Sequence, residues 1–143
     1  MTLEALIRRA RTAGDVTAFN QAIPYMRFLG TEFVRDGDGP ALKLPFQEKL
    51  IGNPNLPALH GGVTGALLES AAIATVILEV DAPKLPKIVN ISIDYLRPGR
   101  PLDTYAWGRI TRLGRRIVNV QAAAWQDARD NPIATASAHF LIS

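Results

Sequence analysis

The sequence predicts an α+β domain, in which a curved antiparallel sheet wraps around one long central helix. The first observation is the stretch at residues 61–80, which is apolar on every side, as in a helix that is buried all round. The second is a hairpin pattern before it, and the third is a series of strand-like segments after it. Those segments are residues 88–96, 102–112, 115–126 and 132–142.

Short helices and a hairpin are predicted at the start of the chain. Apolar residues keep helical spacing over residues 3–12 and 16–23, and Pro24 is expected to end the second helix. Strand-like segments at residues 28–34 and 41–45 flank a turn rich in Asp and Gly, which is typical of a hairpin.

One domain is predicted over residues 1–143, because a chain of 143 residues can bury a single core and no linker or repeat interrupts it. Hydrophobic residues make up 48% of the chain and charged residues 20%, which is typical of a globular protein. Residues 1–27 are the predicted N-terminal helical segment, and residues 28–143 are the core, with a polar loop at residues 47–59.

Small residues dominate the faces that we expect to meet in the core. Alternate positions of the last two strands are apolar, which predicts one buried face on each. These positions are Val118, Val120, Ala122, Ala124, Ala134, Ala136, Ala138, Phe140 and Ile142. The small residues of the helix are Gly65, Ala66, Ala71, Ala72 and Ala74. Both patterns predict a helix that lies close against the sheet.

Several classes of protein are disfavoured by composition. The chain has no cysteines and two histidines, His60 and His139, so one chain holds neither a thiolate nor a His-rich metal site. The lack of cysteines and of an apolar leader near residue 1 predicts a cytoplasmic protein. A membrane span at residues 61–80 is disfavoured by Glu69, since a carboxylate at the bilayer centre costs about 2.5–3.5 kcal/mol.

Glu69 is the candidate catalytic group. It is the only ionisable side chain between Gly61 and Leu78. A helix this apolar rarely holds a carboxylate, because burial disfavours the charged form, and catalytic carboxylates are tuned by such burial. The structural alternative is that Glu69 pairs with an arginine or reaches solvent at the helix edge.

A predicted anion site stands at the start of the same helix, at His60, Gly61 and Gly62. Two glycines there leave backbone N–H groups unshielded at the positive end of the helix dipole. Such a terminus receives negative charge, either a phosphate or the oxyanion of a tetrahedral intermediate. A tight turn into a packed helix is the alternative.

The spacing of these two features predicts an assembly. Glu69 lies about 12 Å along the helix axis from Gly61, at 1.5 Å per residue. One chain therefore does not bring both groups to one carbonyl. We expect a two-fold homodimer, or a homotetramer built from such dimers, in which the carboxylate comes from the neighbouring subunit.

A family resemblance extends over nearly the whole chain from residue 28. The residues that carry it are Asn53 to Val63, including Leu59-His60-Gly61-Gly62, then Glu69, then residues 88–98 ending in Asp94-Tyr95-Leu96-Arg97-Pro98. In these segments the chain resembles the hotdog-fold thioesterases of the phenylacetate-pathway (PaaI-like) and 4-hydroxybenzoyl-CoA thioesterase type. The resemblance implies a hotdog fold and an acyl-CoA thioesterase, with no cofactor besides the coenzyme A carried by the substrate.

The same resemblance implies roles for individual residues. The Gly61 N–H would polarise the thioester carbonyl, His60 would support that loop, and Glu69 would act as general base or as nucleophile. Four further residues are predicted to hold the substrate or water, with the choice between the first two left open. They are Asn53, Asn55, Gly62 and Asn90.

Positive charge is concentrated at residues 84–116, which hold eight of the 16 Lys and Arg residues and two of the 13 acids. An anionic partner or a solubilised strand surface both agree with this pattern. The resemblance implies that a basic turn, Arg112, Arg115 and Arg116, meets the phosphates of CoA. Nucleic acid is not the expected partner, because the nearby aromatics Tyr105, Trp107 and Trp125 are typical of packing on a sheet.

Two other functions remain open from the sequence. One is a hotdog hydratase or dehydratase, although the His-Phe-Pro-Gly type of motif is absent. The other is a non-catalytic acyl-CoA-binding protein, although the residues before the first strand are few for an added DNA-binding module. A serine hydrolase is disfavoured because the chain contains no Gly-x-Ser-x-Gly motif.

Overall fold

The computed structural model describes residues 1–82 and 84–143, and within them it confirms the α+β architecture. The helices are α1 (Leu3–Ala13), α2 (Thr17–Ala22), α3 (Pro24–Leu29) and α4 (Gly61–Glu79). The strands are β1 (Glu32–Asp36), β2 (Gly39–Leu44), β3 (Ile51–Asn53), β4 (Ala58–Leu59), β5 (Lys87–Tyr95), β6 (Thr104–Leu113), β7 (Ile117–Trp125) and β8 (Ala134–Leu141).

Six of these strands form one sheet in the order β1-β2-β6-β7-β8-β5. Every neighbouring pair is antiparallel, as predicted. The four strands after the central helix begin and end within two residues of the predicted positions. β5 lies at one end of this order, so one side of its backbone has no partner strand within the described chain.

The central helix α4 packs against β2, β5, β6, β7 and β8. Leu67, Leu68, Ala71 and Ala72 are fully buried on it. The predicted inward faces of β7 and β8 are confirmed, because every second residue is buried from Val118 to Ala124 and again from Ala134 to Phe140. Ile142, beyond the end of β8, is half-buried. By length and composition α4 is also apolar enough to cross a bilayer, a test that the core helix of a soluble protein passes equally.

Two boundaries differ from the prediction in the first third of the chain. The second helix ends before Pro24, as predicted, but Pro24 also begins a third helix, α3, because a proline at the first helical position gives up an N–H that would have no partner there. The first strand consequently begins at Glu32 and not at residue 28. Residues 47–59 are also more ordered than a loop, since a 3₁₀ turn (Glu48–Leu50) and the β3–β4 pair occupy them.

The N-terminal helices close the side of α4 that the sheet leaves open. α1 packs against α4, and Arg11 of α1 binds the end of that helix. Its guanidinium donates to the Ile77 carbonyl at 3.2 Å and to the Ala82 carbonyl at 2.8 Å, and it pairs with Asp81 at 3.2 Å. A cation at the last turn satisfies carbonyls that have no partner within the helix.

Candidate active site

His60 caps the N-terminus of α4. Its Nδ1 accepts a hydrogen bond from the Gly62 N–H at 2.9 Å, and its own backbone N–H donates to the Leu50 carbonyl at 2.9 Å. The first bond consumes the Gly62 amide, so Gly62 is not a free donor in this structure. His60 therefore links the start of α4 to Leu50 and leaves the Gly61 amide exposed.

Gly61 is exposed and lines a cavity of about 370 Å³, and its backbone N–H lies at the N-terminus of α4. No acceptor within residues 1–82 and 84–143 receives that N–H. The Gly61 carbonyl, in contrast, accepts a 2.7 Å hydrogen bond from the Tyr95 hydroxyl, which ties the helix terminus to the end of β5. The cavity is lined by Leu59, Gly61, Thr64, Tyr95, Leu96, Arg97, Pro98, Gly99, Ile133 and Ala134.

Glu69 lies on the one face of α4 that does not meet the sheet. Ala66, Glu69, Ser70 and Ile73 follow the i, i+3, i+4, i+7 spacing of a single helix face, and all four are half-buried. They line a second cavity, of about 250 Å³, between α4 and the helices α2 and α3. The carboxylate is therefore at the wall of an apolar cavity.

The burial expected for Glu69 is only partly met within one chain, because its helix face points toward α2 and α3 and not toward the sheet. The alternative considered for Glu69, an ion pair with an arginine, is not observed, since the ion pairs among the described residues join Arg11 to Asp81, Lys43 to Asp103 and Arg100 to Asp127. Partial burial does raise the pKa of the other carboxyl of this helix, Glu79, through desolvation.

The two cavities are separate. No residue lines both of them. Gly61 lies at the N-terminus of α4 and Glu69 lies about 12 Å further along the same rigid axis. A single chain therefore holds the N–H donor and the carboxylate in different places.

The basic turn lies at the far end of the sheet from Gly61. Arg112, Arg115 and Arg116 are all exposed in the hairpin between β6 and β7. Its neighbour in the sheet register is Lys87, through the pairs Ile117–Leu141 and Leu141–Lys87. Because Gly61 is hydrogen-bonded to Tyr95 at the other end of β5, this turn is about 26 Å from Gly61 of its own chain, at roughly 3.3 Å per residue of β5.

The predicted asparagines do not converge on Glu69. Asn53 and Asn55 are exposed in the β3–β4 turn, where the Asn53 side chain accepts a 3.0 Å hydrogen bond from the Asn55 N–H. Asn90 lies on the outer face of the sheet, since its register partner His139 alternates with the inward residues Ala138 and Phe140. Asn90 Oδ1 and His139 Nδ1 are 2.5 Å apart.

The strand aromatics pack as expected. Trp125 stacks on Tyr105 with ring centroids 6.1 Å apart, and the Arg129 guanidinium lies 4.3 Å above the Trp125 ring. Trp107 contacts Phe33. Across the described residues, no three or more His, Asp or Glu side chains are grouped to hold a metal ion.

Three residues of the site were missed by sequence reasoning. Tyr95 anchors the Gly61 carbonyl, and Asn20 of α2 lines the Glu69 cavity. Gly52 lets β3 approach His60, because a Cβ on Gly52 would lie 2.6 Å from His60 Cα. The role of Tyr95 gave no signal, because an aromatic residue inside a predicted strand is typical of packing on a sheet. Gly52 was readable, because a glycine can mark a close approach of two backbone segments.

Comparisons with known proteins agree with this architecture. The thioesterase superfamily (4HBT) model matches residues 56–133, more than half of the chain. A protein from Chromobacterium violaceum is 38% identical and has a TM-score of 0.76, with 96% of each chain covered. Among curated proteins, none matches this chain.

Two more distant structures share the fold. A Bacillus halodurans protein solved with CoA is 20% identical with a TM-score of 0.74, over 99% of this chain and 91% of that one. A phenylacetic acid degradation-related protein from Ralstonia eutropha is 21% identical with a TM-score of 0.70, over 84% and 91%.

The chain therefore belongs to the thioesterase superfamily, and its fold is the hotdog fold. The predicted thioesterase family and the predicted fold are both confirmed.

The role of Gly52 is testable by Gly52→Ala. The new methyl group would overlap His60 backbone at 2.6 Å, so the cap must shift and we expect a loss of about 1–3 kcal/mol in unfolding free energy. Gly37→Ala is the matched control, because nothing lies within 4 Å of its Cβ position. Urea unfolding of both variants measures the difference; equal stability of the two would contradict the close approach.

Proposed function

We propose that this protein is an acyl-CoA thioesterase whose active site combines the Gly61 N–H of one subunit with Glu69 of another. The observation that carries the proposal is the arrangement on α4. Among residues 1–82 and 84–143, the Gly61 amide at its N-terminus has no protein acceptor and Gly61 lines one cavity, while the Glu69 carboxylate has no cationic partner and Glu69 lines a second. A thioester hydrolase needs both groups at one carbonyl.

Membership of the thioesterase superfamily supports hydrolysis of a thioester. The CoA found with the Bacillus halodurans structure, which has the same fold, supports coenzyme A as the thiol portion of the substrate. In this proposal coenzyme A arrives with the acyl group and leaves as product, so the enzyme uses no resident cofactor.

The free edge of the sheet supports the dimer. β5 is nine residues long, contains no proline, and exposes Ile88, Val89 and Tyr95. An unpaired apolar edge of this length is a template for another strand. Antiparallel pairing of β5 with β5 of a second copy is self-complementary about a two-fold axis, continues the sheet, and places the two α4 helices antiparallel.

This pairing brings together the groups that one chain separates. In an antiparallel β5 pair, the Tyr95 end of one strand lies toward the Lys87 end of the other. The Gly61 terminus, which is bound to Tyr95, then faces the partner's basic turn, while the antiparallel helices bring the partner's carboxylate toward the same carbonyl. Two equivalent composite sites result from one interface.

The chemistry follows from these positions. The thioester carbonyl oxygen accepts from the Gly61 N–H, which stabilises the negative charge that develops when the carbon becomes tetrahedral. The partner's carboxylate either takes a proton from water, whose oxygen then bonds to the carbonyl carbon, or attacks that carbon itself to form an anhydride that water opens. In both routes the C–S bond breaks and the CoA thiolate leaves and is protonated.

Glu69→Gln tests the catalytic carboxylate. The amide keeps the size of the side chain but neither accepts a proton nor attacks readily, so we expect kcat to fall by about 100- to 10,000-fold. The matched control is Glu79→Gln on the same helix, which should keep wild-type kcat. Thiol release from a panel of acyl-CoA esters provides the measurement. Equal rates for wild type and Glu69→Gln would refute the assignment.

Removing the charge of the basic turn tests the CoA contact. With Arg112, Arg115 and Arg116 changed to Ala, KM for an acyl-CoA should rise about tenfold while kcat stays constant, because exposed charges attract phosphates before the chemical step. The KM of the corresponding N-acetylcysteamine thioester, which has no phosphates, should not change. The control removes the exposed Arg8 and Arg9 of α1. An unchanged KM for the CoA ester would exclude the contact.

A further inference from the structure

Tyr95 and His60 hold the two polar groups of one peptide bond, the bond between Gly61 and Gly62. The Tyr95 hydroxyl donates to the Gly61 carbonyl at 2.7 Å, and the Gly62 N–H donates to His60 Nδ1 at 2.9 Å. This peptide follows directly after the Gly61 N–H, the donor that the proposed function directs at the thioester carbonyl. The position of that donor therefore depends on how firmly this peptide is held.

The two glycines make such support necessary. Gly61 and Gly62 are the first residues of α4, and neither has a Cβ to restrict its backbone torsion angles. Their N–H groups also lie in the first turn, where the helix itself supplies no acceptor. A donor for a developing oxyanion is effective when its position is fixed before the reaction begins. The restriction therefore has to come from groups outside the two glycines.

The backbone that carries Tyr95 is fixed on the sheet. Tyr95 is the last residue of β5 and pairs with Ala134 of β8. The next two backbone N–H groups, of Leu96 and Arg97, donate to the Ile133 carbonyl at 2.9 and 3.2 Å. The hydroxyl therefore links the first turn of α4 to a rigid part of the domain, as the support of a reactive group requires.

The Tyr95 ring lies beside the helix because glycines leave room for it. A Cβ at Gly61 would lie 3.5 Å from the ring Cζ, and a Cβ at Gly65 would lie 3.5 Å from the hydroxyl oxygen. The residue is 55% exposed, so burial of its ring contributes less to folding than it would in the core. Its hydroxyl, in contrast, is bound to the protein. The side chain is therefore better suited to holding the helix terminus than to filling the core.

We infer that Tyr95 is a positioning residue for hydrolysis: its hydroxyl holds the Gly61–Gly62 peptide so that the preceding Gly61 N–H stays directed at the thioester carbonyl oxygen. Tyr95 acts through Gly61 and takes no part in the making or breaking of bonds. The inference rests on the thioesterase function proposed above and adds the residue that keeps its oxyanion donor in place.

Tyr95→Phe removes the hydroxyl and keeps the ring. Loss of a whole oxyanion donor costs about 100- to 1,000-fold in kcat, and displacement of a donor costs part of that. We therefore expect kcat for an acyl-CoA to fall about 10- to 100-fold. KM should stay within about twofold, because the lost interaction matters most in the transition state.

Tyr105→Phe is the matched control for this measurement. It makes the same chemical change on β6, where the ring stacks on Trp125, and it should keep wild-type kcat. Equal kcat for Tyr95→Phe and Tyr105→Phe would overturn the inference.

The fold and assembly of Tyr95→Phe are checked separately. Because the hydroxyl belongs to an exposed side chain, Tm should stay within a few degrees of wild type, and the mass in analytical ultracentrifugation should not change. A loss of activity that comes with unfolding or with a change of mass would show a structural role and would overturn the inference.

Infrared spectroscopy reports the position of the donor without turnover. A hydrogen bond from an N–H weakens the thioester C=O bond and lowers its stretching frequency. Acyl-CoA labelled with ¹³C at that carbonyl is bound to the full-length Glu69→Gln protein and to the Glu69→Gln/Tyr95→Phe protein. We expect a lowered frequency in the first and a smaller shift in the second. A shift of equal size in both proteins would overturn the role of Tyr95.

A double-mutant cycle separates action through Gly61 from any other action. Gly61→Pro removes the N–H that Tyr95 positions. In that background Tyr95→Phe should cost no more than about twofold in kcat, because residues that act through one group are not additive. A further loss of about 10- to 100-fold there would show that Tyr95 acts elsewhere and would overturn the inference.

The two proposals fail in different ways. If the wild-type protein releases thiol but Tyr95→Phe matches Tyr105→Phe in kcat, the function stands and the role of Tyr95 fails. If the wild-type protein releases no thiol from any acyl-CoA, the thioesterase proposal itself fails, and Tyr95 has no reaction to support.

Discussion

Burial of α4 in the sheet is the constraint on which the rest of the structure depends. The strands approach the helix closely enough that the Gly108 N–H donates to the Thr75 hydroxyl at 3.2 Å, and a Cβ at Gly108 would lie 2.9 Å from that oxygen. Leu67 and Leu68 are fully buried against the core. This packing fixes the helix axis, so that its N-terminus projects beside Tyr95 and one face, with Glu69, remains for the N-terminal helices.

A fixed axis also separates the reactive groups. Because the tightly packed helix does not bend, Glu69 and Gly61 of the same chain stay apart along its axis. The same packing leaves β5 at the edge of the sheet with one side of its backbone unpaired. Association through that edge supplies both a partner for the strand and a second carboxylate, and for this reason we link assembly to catalysis in the proposal.

The sequence predicted the elements whose signals are periodic. α4 and the strands after it were placed within two residues, because burial imposes a repeating pattern along each of them. α3 was missed because Pro24 has two readings, as a stop or as a first helical residue. Asn20 and Tyr95 were missed because their roles depend on α2 and β5 meeting α4, and no local pattern records such contacts. The burial of Glu69 was overestimated. Its apolar neighbours in the sequence point to other sides of the helix, so they do not show how buried the side with Glu69 is.

The central claim is most directly tested by a mixed dimer. Gly61→Pro removes the backbone N–H of the first helical residue, a position where proline is tolerated. The preceding residue, His60, has a ψ of 131°, which is compatible with a following proline. Glu69→Gln removes the carboxylate. Each homodimer should be nearly inactive. A dimer with one subunit of each kind, isolated through two affinity tags, should recover about half of the wild-type thiol release, because one of its two composite sites is intact. Mixed dimers as inactive as both parents would contradict the account.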